Sequence, residues 1–171
     1  GMAGVLLSVA TWTFLGLAAA ILSGAVSASI QLAGFAPIGL TSVATGFVLG
    51  VSLAGLAYLC QAPPNRTMLL LTFLFATAAV VTQHLSMYRG YCDQWHRVHD
   101  ENPAIILFRN ESAPKSIGVY MWAEATPMRT LIWGFDAVLI SATTAGFFVI
   151  FRLRTAQPSR LAIGNQRTPS A

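Results

Sequence analysis

Asp136 is the first residue that needs an explanation. It sits in the apolar run from Thr130 to Phe151 and is the only acid inside any such run of the chain. A carboxylate at the centre of a bilayer costs about 2.5–3.5 kcal/mol on insertion scales, so it calls for a partner. His84, in the run from Met68 to Met87, lies at comparable depth and is the best placed. Arg129, seven residues before Asp136 and on its helical face, and Arg89 are the other candidates. Together these groups have the chemistry of a proton-accepting or substrate-binding site that opens outward. The architectural reading is a buried bridge between two helices.

A second constellation is Asp93, His96, His99 and Asp100, at helical spacings of three and four. Imidazole and carboxylate on one helix side offer ligands to Zn²⁺ or a similar ion. Arg97 intervenes, and a surface helix carries such residues without any metal. The chain has 3 histidines, too few for a histidine-box di-iron site. Only His84 lies near an apolar run, so a haem with two axial histidines would lack a ligand. No Gly-x-Ser-x-Gly, phosphate loop or dinucleotide fingerprint is present. No cofactor is expected. Asn110-Glu111-Ser112 matches a glycosylation sequon, a pattern frequent by chance. Cys60 and Cys92 do not form a Cys-x-x-Cys pair, which argues against thiol-disulfide exchange.

The elements that must hold these residues are written in the composition. The chain has 171 residues, 55% of them hydrophobic and 9% charged, and its mean hydropathy is +0.63. Ordinary soluble domains carry roughly 25% charge. No charged residue precedes Arg66. A water-soluble globule and a disordered chain are both excluded. Four apolar runs reach the ~20 helical residues that span a bilayer: 5–30, 38–59, 68–87 and 130–151. They are continuous rather than alternating, which favours helices over barrel strands. The sequence therefore predicts an all-α membrane protein, a bundle of four transmembrane helices forming one domain over 1–151.

Charge orients the bundle. Arg152, Arg154, Arg160 and Arg167 fill the segment 152–171 with no acid, and Arg66 stands alone in the second connection. The long connection 88–129 is balanced: Arg89, Arg97, Arg109, Lys115 and Arg129 against Asp93, Asp100, Glu101, Glu111 and Glu124. The positive-inside rule then puts both termini in the cytoplasm of an inner or plasma membrane, and the long loop outside. The basic tail is expected to lack fixed structure. The net charge of +4 comes from that tail, which meets anionic headgroups, so no nucleic-acid partner is implied. Cys60 and Cys92 fall on opposite sides and cannot pair within a chain. The outer loop should be partly helical. No proline interrupts 68–101, so the third helix is expected to run about 50 Å, with Gly90 as its bend and Asn102-Pro103 as its stop. Ala104–Phe108 is too short to span, and Asn110–Lys115 reads as a turn. Ile117, Tyr120, Met121 and Glu124 share a face of a short helix. Thr126-Pro127 reads as N-cap and first position of the last helix.

Small residues recur at four-residue spacing in the first two runs: Gly16, Ala20, Gly24 and Ala28, then Ser42, Gly46, Gly50 and Ala54. Residues four apart share a face, and small faces let helix backbones approach closely in lipid. The two stripes are expected to meet each other, or one to meet another subunit. A weaker stripe is Ala137, Ser141 and Ala145, and Phe73, Leu74 and Phe75 are expected to face lipid or neighbours. Two charge-free helices without catalytic residues favour a non-enzymatic subunit or scaffold of a membrane complex. Its partners would be lipids, a homo-oligomer or other membrane proteins. The competing reading is a small transporter or membrane enzyme using Asp136 and His84.

Overall fold

The computed structural model describes residues 2–34, 39–62, 66–101 and 116–156. They form five helices: α1 (Met2–Leu32), α2 (Leu40–Leu59), α3 (Arg66–Glu101), α4 (Ile117–Glu124) and α5 (Pro127–Ala156). The described residues contain no strand. All but α4 are long and apolar enough to cross a membrane. Ala104–Phe108, the turn at 110–115 and the tail from 157 onward lie outside the described residues.

The helix ends follow local chemistry. Ser116 caps α4, its side chain accepting from the Val119 amide at 3.3 Å. Thr126 does the same for α5, accepting from the Arg129 amide at 3.3 Å, with Pro127 in the first helical position. The third helix continues to Glu101, a length of 36 residues. The last helix runs through Arg152 to Ala156, so the segment assigned to a tail starts as helix.

The neighbours in the bundle are not those expected. The small-residue stripes of α1 and α2 do not face one another. That of α1 seats on α3, and that of α2 seats on α5. A methyl group built on Gly16 would come within 2.7 Å of the Phe75 ring, and one on Gly24 would strike the backbone carbonyl of Ala79. On the other seam, Gly46 leaves room for Thr143 and the Ile140 carbonyl, and Gly50 for the Thr144 carbonyl. Contacts advance together along each pair, from 16 to 24 opposite 75 to 79 and from 46 to 50 opposite 140 to 144, so both seams are parallel. The reason lies on the partner faces. α3 presents Phe75, Ala79 and Thr82 to α1, and α5 presents Ile140, Thr143 and Thr144 to α2. The stripe at Ala137, Ser141 and Ala145 is only half-buried. Phe75 turns inward at 3% exposure while Phe73 and Leu74 stay exposed. Gly90 gives close approach to the Leu32 side chain.

One end of the bundle is closed by aromatics. Trp12 is fully buried and donates from Nε1 to the Leu53 carbonyl at 2.9 Å. Phe75 meets its ring edge-on at 5.3 Å, and Phe148 lies at 6.0 Å. The Arg152 guanidinium donates to the Ala62 carbonyl, tying α5 to the turn after α2. At the other end α4 rests on α3 through Tyr120, whose ring lies 5.5 Å from Tyr88 and 5.3 Å from Tyr91.

Candidate functional site

The end opposite Trp12 is polar and hollow. Asp136 of α5 accepts a hydrogen bond from Ser42 of α2 at 2.7 Å. Thus its direct partner is a serine, one turn before Gly46 on the small stripe, and not His84. His84 of α3 lines a hollow together with Asp136 and packs edge-on against Trp133 at 5.4 Å. Gln31, at the end of α1, donates to Thr41 Oγ1 of α2 at 3.3 Å. Gln83 is 4% exposed, and its Oε1 has no partner among the described residues.

Gln31, Thr41, Gln83, His84, Trp133 and Asp136 line a partly open cavity of about 140 Å³, closed on its apolar sides by Val80, Ile132 and Ile140. A volume of this order holds a few waters or one small organic group. No lysine or arginine lines it. Its polar inventory is mixed: the Asp136 carboxylate accepts, His84 can do either, and Gln31, Thr41, Gln83 and Trp133 carry donors. Trp133 adds an aromatic wall that can face a cation. The cavity therefore selects for a hydrogen-bond donor or a positive charge. It contains no serine or cysteine nucleophile.

The remaining expectations divide. Arg129 and Arg89 are exposed and do not line the cavity. Asp93, His96 and Asp100 are exposed on the outer part of α3, and His96 lies against Trp95 at a ring distance of 5.2 Å. Among the described residues no three histidine, cysteine, aspartate or glutamate side chains converge to hold an ion. The His99 side chain lies outside the described set. Both cysteines are free thiols.

Sequence reasoning missed Gln31, Thr41 and Gln83 because it searched for ionisable groups. Their signal was available: a glutamine in an apolar helix needs partners nearly as much as a charge does. Comparison with known proteins finds no matching family model, no matching curated protein and no matching solved structure.

Proposed function

We propose that this chain is a multi-pass integral membrane protein that binds a small cationic or donor-rich ligand in the cavity around Asp136. The membrane part of the reading is supported by the outer faces of the helices. Leu6, Leu7 and Phe14 of α1, Leu70 of α3 and Leu131 of α5 are all at least 66% exposed. Contiguous apolar surface of that extent is untenable in water and ordinary in lipid. The positive-inside rule gives cytoplasmic termini and an outward-facing cavity, since Gln31 and Thr41 flank the first connection. An impermeant maleimide added to intact cells should then label Cys92 and spare Cys60. The reverse pattern would remove the topology.

The observation that carries the binding reading is a carboxylate, Asp136, lining a hollow that no lysine or arginine lines. In lipid, a charge kept this way is costly unless something fills the hollow. Protein in lipid nanodiscs, titrated with methylamine and followed by tryptophan emission, should saturate. Asp136→Asn should weaken that binding about tenfold or more, the size of a charge-assisted hydrogen bond. An unchanged affinity would refute the reading.

The scaffold reading draws on the same exposed faces. Its original support, the small-residue stripes, is spent inside the chain on α1–α3 and α2–α5. A homo-oligomer or a retained partner after mild-detergent purification would favour it.

A further inference from the structure

A second hollow adjoins the polar cavity. It lies between α1 and α2, has a volume of about 580 Å³, and is walled by Leu22, Val26, Ile30, Leu40, Ala44 and Val48. Thr41 lines both hollows, and Gln31, which lines the polar one, donates to Thr41 Oγ1 at 3.3 Å. That distance is at the long end for an N–H···O bond, so the contact is weak. Ser27 also lines the groove. It is 3% exposed, and its Oγ has no partner among the described residues.

We infer that the two hollows form one site for a long-chain amine, with its ammonium at Asp136 and its alkyl chain in the α1–α2 groove. The inference rests on the binding reading above and adds the class of ligand. Three observations carry it. The cavity's sole charge is a carboxylate, so a head of positive charge is the complement. The cavity accommodates only a head, while the groove is about fourfold larger and nearly all apolar, which suits a chain and not a second polar group. The groove spans Leu40 to Val48 along α2, about 12 Å at 1.5 Å per residue, the length of a medium alkyl chain.

An alkyl chain gains little hydrophobic energy by leaving lipid for a groove, because the two are equally apolar. Recognition must therefore come from the head, and the chain must follow it. That separates this site from ordinary annular lipid, which would occupy the groove whatever its head.

The test uses the full chain in nanodiscs and dodecylamine bearing a terminal diazirine, with the dodecanol analogue as the neutral control. After irradiation, labelled peptides are located by mass spectrometry. Expected is labelling of the 22–30 and 40–48 segments about tenfold above that around Phe14 and Leu70, the ratio for a 1.4 kcal/mol preference. Excess methylamine and Asp136→Asn should each abolish the preference, and the alcohol should show none. Even labelling over all exposed apolar positions, with methylamine still binding, overturns the inference and leaves the cavity reading standing. Preference retained in Asp136→Asn, or shared by the alcohol, overturns it as well. Failure of both amines to bind overturns inference and reading together.

Discussion

Replacing Gly50 by alanine should break the α2–α5 seam. The added methyl carbon would stand 2.7 Å from the Thr144 carbonyl oxygen, 3.0 Å from Phe147 Cβ and 3.2 Å from Thr144 Cα. Ordinary contact begins at 3.4 Å, so the shortfall to the carbonyl is about 0.7 Å. Two of the three atoms are backbone and cannot rotate away, so the helices must separate by most of that distance. A gap of 0.5–1 Å forfeits a quarter to a half of each dispersion contact along the seam, and overpacking of this kind costs roughly 1–3 kcal/mol. Glycine to alanine in a helix also brings a gain of about 1 kcal/mol from propensity. Gly55→Ala isolates that gain, because nothing lies within 4 Å of a methyl there. The difference between the two variants therefore reports packing alone. Unfolding by SDS titration in mixed micelles should place Gly50→Ala about 1–3 kcal/mol below Gly55→Ala. Equal stability within about 0.5 kcal/mol would refute the claim that this stripe is the α2–α5 contact and would return it to a surface available for another subunit.

Trp12→Phe removes the indole donor to the Leu53 carbonyl and part of a fully buried ring. It should lower stability by about 1–3 kcal/mol in the same titration, and no loss would show that the aromatic end is not a keystone. Ser42→Ala takes the donor from Asp136 and should cost about 1–3 kcal/mol, while Ser42→Thr should retain part of it; identical stability of the alanine variant contradicts the bond. Gln83→Leu should hold or raise stability by up to about 1–3 kcal/mol, since it deletes a buried unpaired carbonyl. A marked loss of stability would mean the carbonyl has a partner. Tyr120 lies outside the spans, and its phenol is pushed above its ordinary value of 10.0, mainly by burial, with Arg129 opposing. A neutral group with a raised value stabilises the fold fully below that ordinary value and loses the contribution as pH climbs through the raised one. Alkaline absorbance titration against Tyr120→Phe should therefore assign a late-ionising phenol to this residue, and the α4–α3 contact should loosen only beyond pH 10.

Much of the fold was legible because the signals were local. Four uncharged runs of sufficient length need only counting, Thr126-Pro127 carries its own start geometry, and the uninterrupted 68–101 stretch reads directly as one long helix. The seams were not legible in the same way. A stripe of small residues says that something comes close, but the partner is named by a complementary face elsewhere. Phe75, Ala79 and Thr82 belong to that face for α1, and it was obscured because Phe75 stands beside the bulky Phe73 and Leu74 in sequence. Rotation about the α3 axis separates these residues, so that Phe75 is buried and Phe73 and Leu74 are not. The site was half legible for a related reason. Asp136 and His84 stand out as ionisable groups in apolar surroundings. Ser42 was legible only as a small residue, because its hydroxyl has meaning only once α5 lies alongside.

The two ends of the bundle divide stability and chemistry between them. At the Trp12 end, the indole donor is paired and aromatic rings fill the space between helices. At the Asp136 end, two side chains with buried oxygens, Gln83 and Ser27, have no partner among the described residues, and space is left open. Each such group costs about 1–3 kcal/mol relative to a satisfied one, and apolar residues of the same size would avoid that cost. A bundle selected for stability alone would have closed both ends alike. The parallel seams explain how the open end survives. Glycines at 24, 46 and 50 lock α1 to α3 and α2 to α5 along the middle of each helix, so the end that carries the cavity does not have to hold the bundle together. The groove between α1 and α2 lies between the two hydrogen bonds that join these helices directly, Trp12 to the Leu53 carbonyl and Gln31 to Thr41.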